Sequence, residues 1–140
     1  MEGRRPPELR VAFSVGELDV ALELRGDLAW VTVSGAWAGA DVPTLIDRLA
    51  EWPLPAHGLW DLRGSRLRFM NLSEVGLGAA PVIDAVHHRA GATALVCATD
   101  ADVGLVRMWA ALLAGAMPRR RYHVTTSMDD ARSWLDAQRR

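Results

Sequence analysis

The clearest pattern along the chain is strict alternation. Leu18, Val20, Leu22 and Leu24 alternate with Asp19, Ala21, Glu23 and Arg25, the period of two expected of a strand with one buried face. Gly26-Asp27 supplies a tight reversal, and residues 28–34 are rich in β-branched and aromatic side chains. The two runs predict an antiparallel hairpin, with Leu9–Val15 as a further short strand before it. After the small residues around Trp37, the period changes. Asp41 stands where a helix cap is expected, Pro43 falls in the first turn, and Val42, Leu45, Leu49 and Trp52 form an apolar stripe. Pro53 and Pro55 end that helix.

The next stretch reads as strand, polar turn and helix. Residues 58–62 are mostly apolar and run into Asp61, Arg63, Gly64 and Ser65, which suits a buried strand opening into a loop at its carboxyl end. Asn71 stands three residues before Glu74, the spacing of a capping box. Val75, Ala79, Val82, Ile83, Val86 and Ala90 then share one side of a predicted helix. Residues 92–99 are almost uninterruptedly apolar, which predicts a strand covered on both faces.

A third helix begins at Asp100 or Asp102, with Leu105, Met108, Trp109 and Leu112 as its expected core stripe. Arg107 is the only charge in its interior, so this helix is apolar nearly all round and needs cover on more than one side. Residues 122–126 make a last strand near an edge. Ser127 caps a final helix that buries Met128, Ala131, Trp134 and Leu135, with Gln138 at its frayed end. The predicted fold class is therefore α/β: a mixed sheet with an N-terminal antiparallel hairpin, then parallel β-α-β-α-β-α.

Composition changes this picture little. The 140 residues suit one domain over 9–140, with 1–8 expected to be a disordered tail. A net charge of −1 gives no global pull toward nucleic acid or an anionic membrane. All 16 basic residues are Arg, which with the Ala and Gly load points to a GC-rich bacterial gene. Cys97 is the single cysteine, so no intrachain disulfide forms and a reducing, cytoplasmic setting is the simplest reading. Neither a secretory leader nor a run long enough for membrane insertion is expected.

Candidate chemistry is sparse. Asp61 and Arg63 leave the central strand, and Asp100 and Asp102 leave the next, at the sheet edge where open α/β folds place ligand loops. Loop residues and helix caps account for the same pattern. Asp84 and His88 are an i, i+4 pair beside His87, but no third ligand lies near in sequence; a solvated ion pair is the simpler reading. Gly76-Leu77-Gly78 falls inside a predicted helix and lacks the Lys of a phosphate loop. Cys97 sits in the most apolar strand, where thiols are packing residues. Arg66, Arg68 and Arg119–Arg121 are local basic clusters suited to solvent or an acidic partner. No catalytic residue, cofactor or metal is expected.

The order of elements, with VTVSG (31–35) followed by Asp41, GLWDLRG (58–64), ATALVCATDADVGLVRMWAALL (92–113) and YHVTTSMDDARSWLDA (122–137), resembles the SpoIIAA-like branch of the STAS superfamily (STAS/SEC14-type domains). That resemblance spans roughly residues 18–138. It implies a non-enzymatic module that regulates by binding another protein or itself as a homodimer, with a small apolar ligand or lipid as the alternative. An enzyme using the strand-end carboxylates is a third reading.

In anti-sigma-factor antagonists of this family a Ser at the start of the second helix is phosphorylated. Ser73 is the nearest equivalent here, with Asn71 beside it, although Asn71-Leu72-Ser73-Glu74 departs from the usual Asp-Ser followed by Gly. Both residues also have a plain explanation as helix-start side chains. Trp37, Val106 and Leu113 are the expected interface residues.

Overall fold

The computed structural model describes residues 9–38, 40–67, 90–116 and 119–139. Within them, strands β1 (Leu9–Val15), β2 (Leu18–Arg25), β3 (Leu28–Ala36), β4 (His57–Arg66), β5 (Gly91–Val96) and β6 (Arg120–Thr125) form one sheet in chain order. The first three are antiparallel neighbours, and β3 to β6 run parallel. The helices among the described residues are α1 (Asp41–Leu49), α2 (Asp100–Ala116) and α3 (Met128–Gln138). The mixed α/β sheet read from the sequence is therefore the sheet observed. The segment 1–8 and the segment holding Asn71, Ser73, Asp84, His87, His88 and Gly76-Leu77-Gly78 lie outside the described residues.

The alternation of β2 does what its period requires. Leu18, Val20, Leu22 and Leu24 are buried, and Asp19 is exposed on the other face. Register carries the same side across the sheet: Val20 pairs with Val33 and Leu22 with Val31, Val31 then with Trp60, Trp60 with Leu95, and Leu95 with Val124. These side chains make one core with α1 and α2. The opposite face holds a second, smaller core in which Leu28, Leu59, Ala94 and Val96 meet Ala131 and Leu135 of α3. Every residue of β5 is buried, as an apolar run in mid-sheet must be. At the far edge, β6 alternates.

Local signals fix the joints. Gly26 has φ +60° at the first central position of the two-residue β2–β3 turn, which a type II′ hairpin reserves for glycine. Ser127 Oγ accepts from Asp130 N at 3.1 Å and caps α3 as expected. One expected cap is corrected. Asp41 is the first residue of α1 and has turned its carboxylate back to accept Ala38 N–H at 2.8 Å. α2 begins at Asp100, one of the two expected starts, with Thr99 Oγ1 taking Asp102 N–H at 3.2 Å. Phe13 stacks on Trp52 with ring centroids 5.5 Å apart and Arg48 lies over Phe13, which ties the loop after α1 to β1. Arg139 donates to Asp27 through Nε at 3.0 Å and pins the end of α3 to the β2–β3 turn. That hydrogen bond holds the Asp27 carboxyl below its usual range.

The stripe expected for α2 is also corrected. Val103, Val106, Ala110 and Leu113 are the buried residues, Leu105 and Trp109 are half-buried flanks, and Met108 and Leu112 face outward at 43% and 45% exposure. The helix is rotated by about one residue, roughly 100°, from the sequence expectation. Its composition is apolar on both sides, so periodicity alone does not choose a face.

Candidate functional site

The strand-end carboxylates come first, because the sequence singled them out. β4 carries one extra residue relative to β3: Thr32 pairs with Asp61, but Ser34 pairs with Gly64. Such a bulge bends a strand and re-aims its side chains. Beside it, Arg63 grips Asp61 through Nε and Nη2, both at 2.9 Å, while Arg63 N–H donates to the same carboxylate at 3.1 Å. The guanidinium holds the Asp61 carboxyl below the usual carboxylate range. A carboxylate engaged this way is a poor proton acceptor at neutral pH.

Among the described residues no hydrogen bond or ion pair joins Asp61 to Asp100 or Asp102, and no cluster of three metal-ligating side chains forms. The pair Asp61–Arg63 is thus a self-contained brace, and Asp100 and Asp102 sit in the first turn of α2.

Cys97 lies just beyond β5, fully buried. Burial, and then the charge of Asp102, push its thiol up to about 11. At pH 8 this leaves about a hundredfold less thiolate than a thiol at the ordinary value of 9.0. Cys97 is expected to resist iodoacetamide in the native protein at pH 8 and to react promptly once unfolded. Equal rates in the two states, read by intact mass, would contradict its burial. The sign for stability follows: the contribution is complete below the unfolded thiol value and is lost as pH rises toward 11.

The larger feature lies on the helix face of the sheet. Between α1, the loop that follows it, and α2 is a cavity of about 460 Å³ floored by β3, β4, β5 and β6. Trp52, Trp60, Trp109, Leu54 and Leu113 are among its apolar lining. A second cavity of about 60 Å³ adjoins it, sharing Ile46, Trp60, Leu95 and Trp109 and reaching Trp37. The indole N–H groups of Trp37 and Trp109 are buried with no acceptor among the described residues. Such donors cost about 1–3 kcal/mol each, so this core is less fully satisfied than the one under α3.

One end of the large cavity is polar. Arg120 Nη2 donates to Ala56 O at 3.1 Å and to Thr93 Oγ1 at 2.8 Å. His57 Nδ1 accepts the Ala92 N–H at 3.1 Å. Tyr122 completes that end, its hydroxyl pushed up by burial and drawn partly back by Arg120.

Sequence reasoning missed this site. Its walls come from residues scattered between 29 and 122, and only the apolar third helix hinted at it. The expected interface residues are likewise corrected: Trp37, Val106 and Leu113 are 6%, 6% and 0% exposed, so they belong to the chain's own core.

A six-stranded mixed sheet with this connectivity defines a STAS, SpoIIAA-like fold. An anti-sigma factor antagonist from Mycobacterium paratuberculosis is similar in structure at a TM-score of 0.53 and 16% identity, over 90% of this chain and 99% of that one. At that identity the likeness establishes the fold alone. No protein-family model matches the sequence, and no curated protein matches it. Among the described residues no helix is long and apolar enough to cross a membrane.

Proposed function

We propose that this chain is a non-enzymatic regulatory module of STAS type, working through protein contacts made by the outer face of α2. The carrying observation is that face itself. Met108 and Leu112 are exposed beside Ala111, and a Cβ added at Gly104 or Gly115 would meet nothing within 4 Å. A surface helix normally turns charge outward, and each exposed helical glycine costs about 1 kcal/mol relative to Ala. Among the described residues nothing offsets that cost, whereas a second helix packed closely on this ridge would.

A second copy is the occupant that the pattern fits. Two α2 helices laid antiparallel about a point between Trp109 and Ala110 bring Gly104 of one copy opposite Gly115 of the other, and Met108 opposite Ala111. Small then meets small, Met108 meets Ala111, and Leu112 falls opposite the other copy's Arg107, whose aliphatic stem covers it. The same arrangement carries the acidic start, Asp100 and Asp102, toward the other copy's Arg119. Among the described residues no carboxylate pairs with that arginine. The fold's likeness to an anti-sigma factor antagonist supports a regulatory role of this kind.

Sedimentation across a concentration series tests the proposal. The wild-type chain is expected to dimerise, and Met108→Glu with Leu112→Glu to weaken that association tenfold or more while leaving the circular dichroism unchanged. A wild-type chain that stays monomeric at high concentration would overturn it.

A second reading, small apolar ligand binding, is favoured by the 460 Å³ cavity, a volume within the range of about 300–1,000 Å³ common for ligand sites. Native mass spectrometry of freshly purified protein checks it: a copurified small molecule supports ligand binding, and a bare chain mass weighs against it.

A further inference from the structure

We infer that the cavity between α1 and α2 takes a single-chain amphipathic anion, its carboxylate at the Arg120–His57 end and its hydrocarbon along Trp60, Trp109 and Leu113. This rests on the ligand-binding reading above and adds the chemistry of the head group.

Arg120 is half-buried, and among the described residues no carboxylate lies within ion-pair distance of it. Its two hydrogen-bond acceptors through Nη2, Ala56 O and Thr93 Oγ1, are neutral. A guanidinium taken partly out of water is ordinarily met by an anion. His57 adds a second donor. Its Nδ1 accepts a backbone N–H, so the ring proton of the neutral form sits on Nε2. No Asp or Glu is among the described residues lining the cavity. Among the described lining residues the polar end therefore offers a cation and N–H groups and no carboxylate, Asp27 near His57 being held by Arg139, and the other described lining residues are mostly aromatic and aliphatic. A neutral apolar molecule would leave the cation unmatched, and a compact anion would leave the hydrocarbon wall empty. A carboxylate on a single alkyl chain answers both.

The test uses the full chain and three probes of equal length: dodecanoate, dodecanol and dodecyltrimethylammonium, each below its micelle concentration. Binding is read by the fluorescence of Trp52, Trp60 and Trp109. Dodecanoate is expected to bind at least tenfold more tightly than dodecanol, with the ammonium weakest. Arg120→Met is expected to remove the carboxylate's advantage, bringing dodecanoate and dodecanol to within about twofold of each other. If Arg120→Met also loses dodecanol, the order of the three probes on the wild-type chain decides. Dodecanol binding as tightly as dodecanoate overturns the head-group assignment while the ligand-binding reading stands. Dodecanoate preferred equally by wild type and Arg120→Met overturns the role of Arg120. Binding of none of the three overturns both.

Discussion

Gly35→Ala is expected to destabilise the chain by about 3 kcal/mol or more, among the largest effects available to a single added methyl group. Gly35 lies in β3 with φ +109°, a conformation that L side chains rarely adopt. A Cβ built there would stand 2.3 Å from the carbonyl oxygen of Glu17. That neighbour is backbone in the β1–β2 turn and cannot swing aside, so the hairpin would have to part from β3. Gly26→Ala is the matched control. It also has positive φ, +60°, but nothing lies within 4 Å of the new methyl, so only the left-handed backbone cost of about 1–2 kcal/mol applies. Thermal melts should separate the two variants by several degrees. Equal losses would mean that the close approach to Glu17 does not exist in solution.

Leu59→Ala comes next, at about 3 kcal/mol within the range of about 2–5 found for buried leucines. Leu59 is 0% exposed in β4, on the face covered by α3. Its buried neighbours include Ala92, Ala94 and Ala131, whose side chains are too short to fill the space a leucine leaves. The core on this face is also the smaller of the two, so the loss falls on a few contacts that hold α3 to the sheet. Urea unfolding is expected to show a lower midpoint with an unchanged slope. A loss below about 1 kcal/mol would indicate that α3 closes onto the sheet after truncation. Because native domains hold only about 5–15 kcal/mol in total, either substitution removes a substantial fraction.

Much of the architecture was legible because it is written locally. The period of two in residues 18–25 and the Gly26-Asp27 reversal specify a hairpin before any tertiary contact exists. Ser127 followed by the Ala131 and Leu135 stripe likewise marks a helix with one buried side. The unbroken apolar run of β5 announced a strand with both faces covered. Candidate chemistry was read less well, for two separate reasons. Asp61 and Arg63 read as leaving a strand, but β4 continues to Arg66, so both lie within it and, two residues apart beside a bulge, they satisfy each other. The cap expected of Asp41 is absent because that residue is already helical and its carboxylate accepts the Ala38 N–H of the preceding loop instead.

The sequence by itself determined the kinds of element, their order, and the face each alternating strand would bury, because period and turn chemistry act over a few residues. Only the tertiary structure decided which side of α2 turns inward, since a helix apolar all round is indifferent until the sheet claims one face. It also decided that Arg120, His57 and three tryptophans would enclose one cavity. Their meeting depends on parallel register and crossover, which couple residues tens of positions apart and leave no trace in any short window of sequence.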